Sequence, residues 1–86
     1  MKQDSDRYFR SCSFPLVLFL YTQEQQIAGI NPGDKPGQKE FAFVKTPRLE
    51  ELVHKYKFGS KDDPDLFVSA HKYEQARREL LDRLND

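Results

Sequence analysis

The stretch Phe41-Ala-Phe-Val-Lys-Thr-Pro-Arg-Leu-Glu-Glu-Leu-Val-His-Lys-Tyr56 carries the strongest structural signal in the chain, because it reads as a strand handing over to a helix. Alternation along the strand sends Phe41 and Phe43 to one face and Ala42 and Val44 to the other. Thr46 offers a side-chain oxygen at the N-cap, and Pro47 suits the first helical position, where no backbone donor is missed. Glu50 and Glu51 fall in the first turns, where negative charge is favoured, and Leu49, Leu52, Val53 and Tyr56 form one apolar stripe. The helix is expected to end near Lys57-Phe58-Gly59, with glycine as the stop signal.

The sequence before this junction reads as a hairpin. Gln26-Ile-Ala-Gly-Ile-Asn31 and Glu40-Phe-Ala-Phe-Val-Lys45 flank Pro32-Gly-Asp-Lys-Pro-Gly-Gln38, a polar loop dense in turn residues. Upstream, Tyr8-Phe-Arg10 suits a short strand, and residues 1–7 read as a loose polar arm. Nearly every residue of Phe14-Pro-Leu-Val-Leu-Phe-Leu-Tyr21 is apolar, so periodicity does not separate helix from strand there. A cap at Ser13, Pro15 in the first turn and a polar tail favour a helix running to about Gln25.

After the junction, Ser60-Lys-Asp-Asp-Pro-Asp65 reads as a connector and Leu66-Phe-Val68 as extended. Ser69, with Asp65 as the rival start, caps a last helix whose stripe is Ala70, Tyr73, Ala76, Leu80, Leu81 and Leu84. The expected architecture is α+β: strand, helix, hairpin, helix, helix, a small mostly antiparallel sheet with helices packed on it. Residues 8–86 form its single domain.

Composition narrows function mainly by exclusion. Of 86 residues, 14 are Lys or Arg and 14 are Asp or Glu, so no global field draws nucleic acid or an anionic membrane. The apolar run from Phe14 to Tyr21 is far shorter than a membrane span. Lys2, Arg7 and Arg10 before it invite a signal-peptide reading. A signal peptide is not expected, since Asp4 and Asp6 spoil the positive n-region and Thr22-Gln-Glu-Gln-Gln26 offers no small-residue cleavage site. With one cysteine, Cys12, no intramolecular disulfide forms, and the expected location is cytoplasmic.

The capped apolar segment after Ser13, Ile27-Ala-Gly-Ile30, Phe41-Ala-Phe-Val44, Thr46-Pro47 with Leu49 and Leu52, and Val68-Ser-Ala70 with Tyr73, Ala76 and Leu80 together carry a resemblance. This pattern resembles a small prokaryotic family classed as domain of unknown function 5659, over about residues 8–84. The resemblance implies a compact prokaryotic, archaeal or phage-borne protein and brings no catalytic residues with it. The hairpin loop of this chain is longer than the family's usual one.

No chemical motif emerges. Cys12, His54 and His71 lie on separate elements without paired ligand spacing, so no metal site is expected, and no cofactor site either. A Cys-His nucleophile pair through Cys12 is formally available but has no supporting pattern. Asp62-Asp63-Pro64-Asp65 lacks the glycine and distal glutamate of a calcium loop. Glu51–Lys55, Glu74–Arg78 and Glu79–Arg83 each have the favourable four-residue order, which accounts for most basic residues without a ligand.

Arg77 is the exception, since at about 100° per residue it projects into the apolar stripe and must pair, snorkel or meet a partner. The expected function is therefore a non-enzymatic interaction module that binds a protein partner or itself, with a homodimer among the options. Arg77, Phe14, Val17, Leu18 and Tyr21 are its candidate contact residues. The alternative is a nucleic-acid-associated protein using Lys55, Lys57, Lys61, Lys72 and Arg78. Tyr8, Phe9, Phe41 and Phe43 suggest an RNA-stacking sheet, although core packing explains the aromatics better.

Overall fold

A computed structural model describes residues 7–85. The order is β1 (Tyr8–Ser11), α1 (Phe14–Thr22), β2 (Ile27–Pro32), β3 (Lys39–Val44), α2 (Pro47–Phe58), a 3₁₀ turn (Pro64–Leu66) and α3 (Ala70–Asn85). The strands make one antiparallel sheet in the order β1-β3-β2, so the α+β architecture and its element order are those read from the sequence. The arm expected over 1–7 lies outside the described residues except for Arg7, whose carbonyl accepts a hydrogen bond from the Lys45 amide and extends the sheet.

The β3–α2 junction forms as its residues dictate. Thr46 Oγ1 accepts a hydrogen bond from the Leu49 amide at 3.0 Å, and Pro47 occupies the first turn. Gly59 closes α2, but in extended rather than left-handed backbone. Its lack of a side chain matters for another reason: a Cβ there would approach the Lys55 carbonyl oxygen to 2.6 Å. Ser69 caps α3 by accepting from the Lys72 amide, while Asp63 caps the 3₁₀ turn that includes Leu66, a residue expected to be extended.

Helix α1 stops three residues earlier than the polar tail suggested. Glu24 adopts φ 65°, the Gln25 amide donates to Leu20 and the Glu24 amide to Tyr21. This is a Schellman closure with glutamate where glycine is usual. Ser13 stands at the N-cap but makes no side-chain cap bond, and its carbonyl accepts from the Val17 amide instead.

In the hairpin loop, Pro36 and Gly37 form the two central positions of a turn closed by Gln38 N–H to Lys35 C=O. Gly37, at φ 79°, supplies the left-handed conformation this turn needs. On β2 a bulge between Ile27 and Gly29 inserts Ala28. Without it, two residues three apart would face opposite sides. With it, Ile27 lies opposite Phe43 and Ile30 opposite Phe41, both packed on the core.

The core lies between the helices and the face carrying Phe9, Phe41 and Phe43. Leu16, Val17, Leu18, Phe19 and Leu20 are all buried, because α1 packs on both other helices and also touches β1. Each such fully buried side chain contributes about 1.5–3 kcal/mol. The partner surface expected on α1 is therefore corrected: Val17 and Leu18 are covered by the chain itself. An RNA-stacking sheet is excluded for Phe41 and Phe43 on the same ground, as both are buried. Among the described residues, no helix is long and apolar enough to cross a membrane.

Candidate functional site

Two concave surfaces flank the core, and their chemistry differs. The first is a groove of about 300 Å³ lined by Phe9 of β1, Lys45 and, from α2, Leu49, Glu50, Val53, His54, Lys57 and Phe58. It arises because the Thr46-Pro47 cap starts α2 immediately after β3, so the helix runs beside the sheet margin where β1 lies. Phe9, Leu49 and Val53 belong to the core or pack against it. Phe58, 74% exposed, packs against His54 with the rings tilted and their centroids 5.3 Å apart. Lys45 and Lys57 contribute two cations to the lining, against one carboxylate from Glu50.

Beside this groove runs the free edge of β1. The Lys45 amide bonds to Arg7 and the Val44 amide to Gln26, so successive residues of β3 serve opposite neighbours. Alternation then commits the main-chain groups of Phe9 to β3 and directs those of Tyr8 and Arg10 away from the sheet. Among the described residues, no strand pairs with that side of β1. Arg10 reaches Glu40 at 3.9 Å, and its guanidinium lies 5.7 Å from the centre of the Tyr8 ring, on the sheet face opposite Phe9.

The second surface is a cleft of about 370 Å³ between the end of α1 and α3, lined by Tyr21, Thr22, Glu24, Gln25, Lys72, Gln75, Ala76 and Glu79. Its polar groups largely satisfy one another. The Tyr21 hydroxyl donates to Glu79 at 2.8 Å, Gln75 donates to the same carboxylate at 3.2 Å, and Arg83 lies 5.9 Å from the Tyr21 ring centre. The hydrogen bond from Tyr21, reinforced by Gln75, holds Glu79 below the usual carboxylate range. That bond, together with partial burial, raises Tyr21 above its ordinary value. The buried Thr22 hydroxyl is spent on the Phe19 carbonyl at 2.6 Å.

The remaining sequence candidates scatter. Lys55 is held by Asp65 at 2.6 Å, Asp63 at 3.5 Å and Glu51 at 3.8 Å, which raises its pKa through the Asp65 bond and depresses that of Asp65. Arg48 joins the cluster through Glu51 at 3.0 Å and Asp65 at 3.5 Å, so this network staples the connector to α2. Lys57 lines the groove and Lys72 the cleft, while Lys61 and Arg78 are exposed. Lys55, Lys57 and Lys72 thus occupy three different settings. Of the three expected helical ion pairs, only Glu51–Lys55 forms among the described residues, and Glu79 turns to Tyr21 instead.

Arg77 is exposed and has no ion-pair partner among the described residues. The reason is that α3 buries Ala76 and Leu80 while Tyr73 remains 40% exposed, so the contact face is turned away from Arg77. Phe14 is half-buried against Phe41, with centroids 6.4 Å apart, and Tyr21 lies in the cleft. Cys12 is exposed, and among the described residues no three His, Cys, Asp or Glu side chains converge as a metal would require. Sequence reading named Lys57 but missed the groove around it, whose one legible sign was Phe58, an aromatic just off the α2 stripe.

Comparison with known proteins returns no matching family model, no matching curated protein and no matching solved structure.

Proposed function

We propose that this chain is a non-catalytic interaction module that binds a protein partner through the groove between β1 and α2. The observation that supports this reading is Phe58, an aromatic 74% exposed on a groove whose floor is continuous with the core. An exposed aromatic on the wall of an open, largely apolar concavity is suited to docking a partner's side chain. The α1–α3 cleft is a weaker candidate, since a ligand there must displace the Tyr21–Glu79 bond before gaining anything.

Affinity capture from the native host, comparing the unaltered chain with Phe58→Asp and Arg78→Glu, tests this. The account expects the specific partner to be lost with Phe58→Asp and retained with Arg78→Glu. A partner set unchanged by Phe58→Asp overturns it. Retention on nucleic acid that falls steeply with salt and is abolished by Arg78→Glu would instead favour phosphate recognition.

A further inference from the structure

The two edges of the sheet differ in how they meet solvent. On β2 the Ala28 bulge disturbs the ladder, and Pro32 at the strand end has no amide to offer. Both are devices that blunt an edge against pairing. β1 has neither, and its paired register from Tyr8↔Val44 to Ser11↔Phe41 is unbroken. Its unpaired main-chain groups, at Tyr8 and Arg10, lie beside a groove that the same sheet face shares with α2.

We propose that β1 receives an extended peptide segment as a fourth strand, and that this segment carries an apolar side chain flanked at alternate positions by carboxylates. The inference rests on the groove being the binding surface. An added strand would hydrogen-bond to Tyr8 and Arg10, and its residue opposite Phe9 would point to the same side as Phe9, into the groove. There it meets Val53 and Phe58. The lining carries Lys45 and Lys57 against Glu50, so acidic groups at the next positions on that face, two residues away in either direction, complement its charge.

Charge also favours a foreign segment over a second copy of this chain as the occupant. Pairing β1 with itself about a two-fold axis would set side by side two linings of the same net positive sign, each with Lys45 and Lys57 against Glu50. A foreign acidic strand removes that repulsion.

The probe is a capped peptide with Glu, Val and Glu at alternate positions and Thr between them, titrated into the full chain and followed by amide shifts. Expected are shifts at Tyr8, Arg10 and residues 49–58 of α2, with binding weakened by added salt and by Glu→Gln in the peptide. N-methylation of one alternate set of peptide amides should weaken binding roughly tenfold or more, while methylation of the other set leaves it unchanged. Equal sensitivity of both sets overturns strand addition but leaves the groove reading standing if Phe58→Asp still removes binding. No shift at the groove with millimolar peptide overturns the proposed occupant. So does a single-stranded oligonucleotide that displaces the peptide, or a concentration-dependent dimer that protects the Tyr8 and Arg10 amides.

Discussion

The two outer strands flank the same central strand yet present opposite surfaces. β2 brings Ile27 and Ile30 to the core by means of a bulge and finishes in Pro32, so its outer edge is irregular and short of donors. β1 is shorter and regular, and it stands beside a groove that α2 lines. The contrast shows how one sheet can protect itself on one side while leaving the other available. Burial on β2 required the irregularity that also blunts it. β1, with Phe9 alone reaching the core from its middle, needed none.

Both edges depend on β3, so the largest effect should come from removing their shared support. Phe43→Ala should destabilise the fold by about 3–5 kcal/mol and erase the difference between the edges. Denaturant unfolding measures this. Deleting Ala28 should cost about 1.5 kcal/mol, because losing the bulge turns either Ile27 or Ile30 out of the core. It should leave binding at β1 intact once the protein is folded.

Thr46→Ala should cost about 1 kcal/mol by orphaning the Leu49 amide at the start of α2, loosening the groove wall more than β2. Amide exchange along α2 would show the difference. The smallest effect is acid sensitivity. Asp65 and Glu79 have folded pKa values below their ordinary ones, so the stability they contribute is present above those ordinary values. It is lost as pH falls below the ordinary carboxylate range and through the depressed values. Tyr21→Phe should reduce the Glu79 part of this dependence, leaving the Gln75 contribution, and Lys55→Met the Asp65 part, leaving that of Arg48, neither altering the edge of β1. Thermal midpoints collected between neutral and acid pH check both.

What could be read in the sequence was what is local. Thr46 and Ser69 accept from backbone amides three residues away and Pro47 fits the first helical turn, so their identity and spacing carry the information. The end of α1 was misread because Glu24 takes a left-handed conformation that its residue type does not advertise. The burial of Val17 and Leu18 depends on α2 and α3 closing over α1, which an unbroken apolar run cannot distinguish from a surface awaiting a partner. Tyr21 and Glu79 meet across 58 residues, and the groove joins Phe9 to residues 49–58. Neither has a periodic signature. Only the glycine inside Ile27-Ala-Gly-Ile30 hinted at the bulge, since glycine in a strand often marks one.

The availability of β1 can be measured in the free chain by amide hydrogen exchange at Tyr8, Phe9 and Arg10, at low protein concentration. Phe9 should exchange slowly, because its amide belongs to the ladder with Phe43, while Tyr8 and Arg10 on either side exchange fast. Protection of Tyr8 and Arg10 equal to that of Phe9 would mean the edge is already covered, and would contradict the account.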